Sequence, residues 1–339
     1  MKIAITADPE LPVPPVFYGG IERIIYMLIV ELLKAGHDVT LFAHRDSQVP
    51  CKLIAYPCSG NNLKDIVLNS LTISKALLLK KFDIIHSFGR LAYLLPLMPS
   101  RISKLMSYQR EPTISQIKRA VKLSNRGTLS FNGCSNYITD KIKPFAPAFT
   151  VYNGVDMDKY TTTARVADDA PLIFLGRIEP IKGPHTAIDI ALKTGKKLVI
   201  AGNIPAEYQV YFDEQIKPRL SDQIEYIGPV NDEQKNSLLQ KGLALLMPIH
   251  WDEPFGIVMI EAMACGTPVI GFNRGAVPEV IDCGLTGFYN DGIEELEEKV
   301  KEVHLLDRLK IRQKAEERFS AKVITDEYLS VYRRFANNK

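Results

Sequence analysis

The sequence is poor in cysteine, has no long apolar run and carries none of the common hydrolase signatures. Its five cysteines are odd in number and include no Cys-x-x-Cys pair. Neither a disulfide framework nor a zinc knuckle is therefore expected, and reduced thiols in the cytoplasm are favoured. No run approaches the roughly 18 apolar residues of a membrane-spanning helix. Gly-x-Ser-x-Gly, P-loop and His-Glu-x-x-His patterns are missing, which excludes the enzymes that depend on them.

Length and composition predict a two-domain globular protein. The chain has 339 residues, of which 46% are hydrophobic and 24% charged, enough to bury two cores and too apolar for a disordered or fibrous chain. The apolar run within Met1–Pro9 is too short, and too soon interrupted by a charged residue, to be a secretory signal. It predicts a buried strand instead.

Short apolar runs alternate with helical patterns along the whole chain, which is typical of parallel sheets covered by helices. The pattern restarts near residue 170. We therefore predict an α/β protein with two doubly wound domains, residues 1–155 and 156–319. A C-terminal helix over about 320–339, apolar along one face, is expected to return to the first domain.

Charge is divided unevenly between the two halves. Residues 1–150 hold 19 Lys and Arg against 10 Asp and Glu, whereas the remainder holds 23 against 29. The basic half indicates an anionic partner or a scatter of solvated charges. Residues 101–126 contain seven basic side chains and Glu111, with Ile114, Ile117 and Val121 on one helical face. This segment predicts either contact with an anionic membrane surface or a solvated basic helix.

Two glutamates flank a predicted helix start in the second domain. A strand ends near Pro248, Glu253 lies in the following loop, and Glu261 lies eight residues later in a helix predicted from about Gly256. The first amides of a helix lack internal partners and attract phosphate; here they belong to Phe255, Gly256, Ile257 and Val258. A charged loop before an ordinary helix is the alternative. A ligand-binding role is favoured because Glu261 lies among apolar residues, where an unpaired carboxylate is costly.

A second strand-to-helix loop carries two cations. A strand ends at Gly176, and Arg177 and Lys182 precede the helix that begins near Pro184. Arg can fork onto phosphate oxygens and Lys acts as a point charge. Alone the loop is weak evidence, but beside an anion-ready helix start it predicts a diphosphate site.

Three features allow two interpretations each. Gly19 and Gly20, after the first strand, permit close approach of a phosphate or simply form a tight turn. His86, at the end of a strand, is either packed or part of an acceptor site. His250 and Trp251 either wall a cleft or pack beneath it.

As a set, these motifs resemble the retaining glycosyltransferases of family 4, which have the GT-B fold. Glu253 and Glu261 match that family's pair of glutamates separated by seven residues, and the loop from Gly176 to Gly183 matches its pyrophosphate-binding loop. The other matching stretches are Pro254–Gly256, Ala262–Val269, Gly19–Arg23 and Asn153–Asp156. The resemblance implies two Rossmann-like domains facing a central cleft.

The resemblance also implies roles for individual residues. Arg177, Lys182 and Glu253 would be the catalytic groups, the two cations neutralising the diphosphate and Glu253 holding the donor sugar. Glu261 would bind the ribose hydroxyls. The remaining donor-binding positions would be Gly19, Gly20, Val230, Phe255, Gly256, Ile257 and Val258. With two cations in place, no metal and no other cofactor is expected.

The first domain departs from the family in one respect. Many relatives carry a histidine in a first-domain loop near the reacting sugar, where Gln109 or Arg110 stands here. A catalytic histidine is thus in doubt, and His86 is the substitute candidate. We place His86, Gln109 and Arg110 in a candidate acceptor site.

The leading hypothesis is transfer of a hexose, with retention of configuration, from a nucleotide diphosphate sugar such as a UDP-sugar. The acceptor would be a saccharide or a lipid-linked saccharide, as in assembly of polysaccharide or glycolipid. The enzyme is expected in the cytoplasm, with peripheral contact to an anionic membrane and no nucleic acid partner. A nucleotide-sugar epimerase or phosphorylase on the same fold, or an inactive binding subunit, is the alternative.

Overall fold

The computed structural model describes residues 1–15 and 19–336. It forms two compact units, one of Met1–Gly154 with the segment from Ala321, the other of Val155–Ser320. Among the described residues, every helix falls short of the length and apolar character that crossing a bilayer demands. Phe17 and Tyr18, before the predicted glycine turn, and the last three residues of the predicted C-terminal helix lie outside the described residues.

The regular elements follow in chain order. The strands are β1 Lys2–Thr6, β2 Asp38–Ala43, β3 Lys52–Ala55, β4 Ile84–Ser87, β5 Ser103–Tyr108, β6 Leu129–Gly133, β7 Ala148–Thr150, β8 Leu172–Leu175, β9 Leu198–Ala201, β10 Ile224–Gly228, β11 Ala244–Met247, β12 Val269–Phe272 and β13 Gly287–Asn290. The α-helices are α1 Gly20–Lys34, α2 Leu63–Leu79, α3 Ile114–Leu123, α4 Asn136–Ile142, α5 Pro184–Thr194, α6 Gln209–Tyr211, α7 Asp232–Lys241, α8 Ile257–Ala264, α9 Val277–Val280, α10 Ile293–Glu302, α11 Arg308–Phe319 and α12 Ala321–Ala336. Shorter helical turns span Leu91–Leu97, Met157–Lys159, Pro180–Lys182, Ala206–Tyr208, Phe212–Ile216, Lys217–Arg219 and Val303–Leu305.

The two predicted parallel sheets are confirmed. The first unit holds seven strands in the order β3-β2-β1-β4-β5-β6-β7, and the second holds six in the order β10-β9-β8-β11-β12-β13. Every strand pair is parallel, and the strands are joined through helical connections. The sequence patterns did not predict β3, β6, β7 and β13. Of these, β3 and β7 are half-exposed edge strands without a continuous apolar run.

Helix α12 packs on α1 and β4 of the first unit, as predicted from its apolar face. Ile324, Tyr328, Tyr332 and Phe335 are buried there. Val323, placed on the same face by the sequence, is half-buried, and Leu329 is buried instead. The helix contributes two tyrosine hydroxyls to a polar cluster beneath the sheet, which explains its aromatic character.

His86 occupies the packed alternative rather than an accessible acceptor position. It is fully buried in β4, where Nδ1 lies 2.6 Å from the Tyr332 hydroxyl and Nε2 lies 2.6 Å from Ser107 Oγ. Burial lowers the pKa of His86 to about 3. An imidazole with both nitrogens engaged and no exposed surface supports the first unit's core, so its assignment to the acceptor site is corrected.

His86 is expected to make the free energy of unfolding fall as the pH is lowered. Its pKa is lower in the folded state than in the unfolded chain, so its contribution is complete above about pH 6.5 and is lost as pH falls toward 3. From pH 7 to pH 5 the loss is roughly 2 kcal/mol. We expect urea denaturation to show that the free energy of unfolding of His86→Gln falls by that much less than that of the wild type between pH 7 and pH 5. An identical slope in both proteins would contradict the packed, neutral state.

The structure buries part of the apolar face in residues 101–126, for which the sequence left membrane contact and a solvated basic helix as alternatives. Ile117 is fully buried in the first unit, whereas Ile114 and Val121 on the same face of α3 are half-buried. Lys104 is buried as well, donating from Nζ to the carbonyls of Ser100 (3.0 Å) and Ile102 (2.7 Å). Burial lowers the pKa of Lys104 to about 8. Helix α3 therefore presents cations to solvent without the predicted apolar stripe.

Candidate active site

The loops that carry the predicted site share one edge of the second sheet. Arg177 and Lys182 follow β8, and Glu253 follows β11. These two strands are parallel neighbours, with Ala244 paired to Leu172. Because carboxyl ends of parallel strands meet at the same edge, the two loops emerge side by side.

Lys182 and Glu253 form the ion pair at the centre of this edge. Lys182 Nζ lies 2.7 Å from Glu253 Oε2, and Trp251 Nε1 donates to the same oxygen at 3.0 Å. The ammonium also lies 4.7 Å from the centre of the Trp251 ring. Both charged side chains keep a minor part of their surface exposed. The structure thus brings together two predicted catalytic groups and makes Trp251 a wall of the site.

Backbone contacts hold the two loops against each other. Gly183 has φ +74°, and a Cβ there would clash with the carbonyl oxygen of Pro248. The backbone amide of His250 donates to the carbonyl of Ile181 at 2.8 Å. The side-chain Nε2 of His250 lies 2.8 Å from Thr186 Oγ1. His250 therefore links the two loops while its side chain remains exposed. Only glycine at position 183 permits this approach.

The start of α8 is built as the sequence predicts. Gly256 precedes the helix with φ +81°, and α8 begins at Ile257. The Phe255 side chain is buried, in edge-to-face contact with Phe319. The carbonyl of Glu253 accepts from the Ala276 amide at 2.8 Å, which ties the loop to the turn after β12. Phe255 is thus an anchor that orients the turn, while the first amides of α8 remain its chemically relevant groups.

Glu261 is held by partners that the sequence analysis missed. It is buried, and its Oε1 accepts from Tyr160 Oη at 2.8 Å and from Lys235 Nζ. Burial and the adjacent Glu261 carboxylate raise the pKa of Tyr160 well above its ordinary value. Lys235 lies in α7, whose Asn231 capping box sets the helix start after β10. A buried carboxylate with a cation and a hydroxyl on one oxygen has a defined orientation.

Arg177 also has a carboxylate partner. Its Nε lies 2.6 Å from Oε1 of Glu179, which is buried. The contact with Glu179 orients the guanidinium of Arg177. Because the arginine is more exposed than the glutamate, part of its side chain remains at the surface. Val230 lies half-buried in the loop after β10, at the same sheet edge as these residues.

The predicted first-unit residues lie around the end of β1 and β5. Gly19 precedes α1, which begins at Gly20, and a Cβ at Gly19 would lie 2.8 Å from Glu22 Oε2. Burial raises the pKa of Glu22. Sequence reasoning did not foresee a buried acid beside the glycine turn.

Gln109 and Arg110 have different environments. Gln109 Oε1 accepts from Asn153 Nδ2 at 2.8 Å, and its buried Nε2 has no hydrogen-bond partner among residues 1–15 and 19–336. Arg110 is largely exposed and lies 4.0 Å from Asp8. Burial is the main cause of the raised pKa of Asp8, against the opposing effect of Arg90 and Arg110. Of these two residues, Gln109 is held by Asn153, and Arg110 is the one accessible to solvent.

Comparison with known families identifies the chain. Residues 162–320 match the family described as glycosyl transferases group 1, and residues 18–106 match glycosyltransferase family 4. The two matches place a glycosyltransferase domain in each unit. The group 1 match contains Arg177, Lys182, Glu253 and Glu261, so the sequence-based recognition is confirmed.

Relatives and solved structures agree with this glycosyltransferase assignment. The glycogen synthase of Mycobacterium tuberculosis (strain ATCC 25618 / H37Rv) is 26% identical over 332 residues, covering 81% of this chain and 79% of the relative. AviGT4, a glycosyltransferase involved in avilamycin A biosynthesis, superposes with TM-score 0.74 at 24% identity, covering 100% and 98% of the two chains. Anabaena Alr3699/HepE in complex with UDP and glucose gives TM-score 0.76 at 20% identity, covering 98% and 100%. The shared fold is GT-B.

Proposed function

We propose that this glycosyltransferase moves a hexose from a UDP-sugar to a saccharide or lipid-linked saccharide acceptor, with retention of configuration. The observation that carries the proposal is the Lys182–Glu253 ion pair beside the start of α8. It unites a cation, a carboxylate and helix amides at the carboxyl edge of a parallel sheet. Ligands bind at such edges in open α/β sheets.

The reaction explains why a cation belongs there. Breaking the sugar–phosphate bond leaves additional negative charge on the departing diphosphate, and positioned donors stabilise it as it develops. An ammonium group has three donors, and its contact with Glu253 is a single one at 2.7 Å. Charge-assisted hydrogen bonds contribute roughly 1.5–3 kcal/mol each, against roughly 0.3–1 kcal/mol for an exposed helix terminus. Lys182 and Arg177 are therefore the main leaving-group stabilisers in this proposal, and the helix amides assist them.

Because Arg177 and Lys182 already provide positive charge for the leaving group, we propose that the reaction needs no metal. The two cations supply the positive charge that a divalent ion would otherwise bring to a diphosphate. Turnover is expected to persist in excess EDTA. Loss of activity restored by Mg²⁺ or Mn²⁺ would contradict this part of the proposal.

The nucleoside is assigned to the neighbouring loops. Lys235 and Tyr160 both engage Oε1 of Glu261, which directs that carboxylate and suits it to accept bonds from vicinal ribose hydroxyls. The backbone near Val230 would meet the base. The choice of UDP is supported by Alr3699/HepE, which was solved with UDP and glucose. Retention rests on the resemblance of the paired glutamates to the retaining family.

A thermal-shift screen with UDP-, GDP- and ADP-sugars tests the proposal. A specific donor stabilises the folded state by linkage, so a UDP-sugar is expected to raise Tm more than the other two. Proton NMR of the product then reports the anomeric configuration and separates transfer from epimerisation, which needs no acceptor. No donor-dependent shift, or an inverted product, would contradict the assignment.

A further inference from the structure

An apolar helix face on the first unit is left uncovered by its own fold. Helix α2 exposes Leu63, Val67, Leu71 and Leu78, with relative exposures from 47% to 78%. At α-helical geometry these four positions fall within an arc of about 80°. We call these four exposed residues the α2 stripe.

The buried side of α2 shows that the stripe is not a by-product of core formation. Asn69, Ser70 and Ser74 lie buried on the inward side together with Ile73 and Leu77. Asn69 Nδ2 donates to the Cys58 carbonyl at 3.0 Å, so the polar inward face has defined partners. An ordinary surface helix buries its apolar residues and exposes its polar ones. Here leucines are outside while amide and hydroxyl groups are inside.

Cations lie along one flank of the stripe and beyond its C-terminal end. Lys64 and Lys75 are exposed on α2, and Lys80 and Lys81 follow its end, whereas Asp65 is the single acid over residues 63–81. Neighbouring Lys52 lowers the pKa of Lys80, which shows like charges held close together. Leucines flanked by lysines whose stems can lie along apolar surface are typical of helices that rest in a lipid interface.

Helix α3 contributes further cations on the same side of the first sheet. The connections from β3 to β4 and from β5 to β6 advance in the same direction along the sheet. Right-handed crossovers therefore place α2 and α3 on one side. There α3 exposes Lys118, Arg119 and Lys122. These cations therefore lie on the same side of the sheet as the α2 stripe.

We propose that the α2 stripe seats the first unit on an anionic lipid bilayer. The leucines enter the boundary between headgroups and acyl chains, and the lysines and arginine of α2 and α3 bind lipid phosphates. The positive charges near the stripe favour an anionic bilayer as its partner. An apolar surface that bound only another apolar surface would not need charges of a single sign beside it. The binding is independent of the proposed sugar transfer and needs no donor.

Vesicle co-sedimentation of the full chain tests the proposal. Vesicles of phosphatidylcholine alone are compared with equal mixtures of phosphatidylcholine and phosphatidylglycerol, at low and high salt. Leu71→Asp is matched by Leu309→Asp, because the two leucines are 55% and 56% exposed on helices of different units. Lys64→Glu with Lys75→Glu is matched by Lys193→Glu with Lys310→Glu, at exposed lysines of α5 and α11.

We expect the wild type to sediment with the anionic vesicles and to be released by salt. Leu71→Asp is expected to lower partitioning about tenfold, because one inserted leucine is lost, while Leu309→Asp behaves as wild type. Equal binding to neutral vesicles, or equal loss in both leucine variants, would overturn the proposal. So would a wild-type oligomer that Leu71→Asp converts to monomer, since a second copy would then cover the stripe.

Discussion

Lys182→Ala is expected to lower kcat for sugar transfer by about 100-fold, because the departing diphosphate loses its nearest point charge. The variant also leaves the Glu253 carboxylate, mostly buried, without its 2.7 Å cation. Both effects act at the reacting bond rather than at the nucleoside. Measurement of UDP release at saturating donor gives kcat, and the same assay at low donor gives kcat/KM.

The matched control is Lys193→Ala, which removes an exposed lysine from α5 in the same unit. It should leave kcat unchanged. If Lys182→Ala retains wild-type turnover, or if Lys193→Ala loses as much, Lys182 does not stabilise the leaving group.

Gly183→Ala is expected to destabilise the second unit and to weaken donor binding together. The position has φ +74°, and its Cβ would overlap the Pro248 carbonyl oxygen, so the β8 and β11 loops must separate. A left-handed backbone costs an ordinary residue roughly 1–2 kcal/mol, and displacing packed backbone adds to that. Thermal denaturation with and without UDP reports both effects.

Gly195→Ala separates backbone strain from the clash. Gly195 ends α5, as Gly183 begins it, with φ +65°, but a Cβ there has nothing within 4 Å. It should cost only the left-handed backbone term of roughly 1–2 kcal/mol and leave UDP binding intact. Equal losses of Tm and affinity in both variants would show that the contact between the loops is unimportant.

The parts of the site that the sequence predicted are those that lie close together in the chain. Glu253 and Glu261 are linked by one loop and one short helix, so their spacing alone locates them at a strand end. Arg177 and Lys182 share the loop after β8 for the same reason. Local chain geometry and the parallel-sheet rule are enough to place these four residues at one edge.

The missed residues depend on contacts distant in sequence. Lys235 reaches Glu261 across 26 residues and Tyr160 across 101. No pattern within α7 marks its lysine as a partner for a buried acid, since a lysine in a polar helix is ordinarily solvated. Tertiary packing alone creates this pair.

The count of charged residues did not predict which side chains the fold buries. Lys104 counted as a surface cation in the sequence, yet β5 buries it against two carbonyl oxygens. Ile117 lies on the helical face for which membrane contact was one alternative, whereas α3 packs it inward. Periodicity identifies the apolar face of a helix, but not whether the protein's own core or another surface covers it.

Calorimetric titration of UDP into the wild type and into Glu261→Ala tests most directly whether the carboxyl edge of the second sheet is the nucleotide site. We predict measurable UDP binding to the wild type and at least a tenfold loss in the variant, because the carboxylate oriented by Lys235 and Tyr160 no longer meets the ribose. Unchanged affinity in Glu261→Ala would place the nucleotide elsewhere and contradict the account.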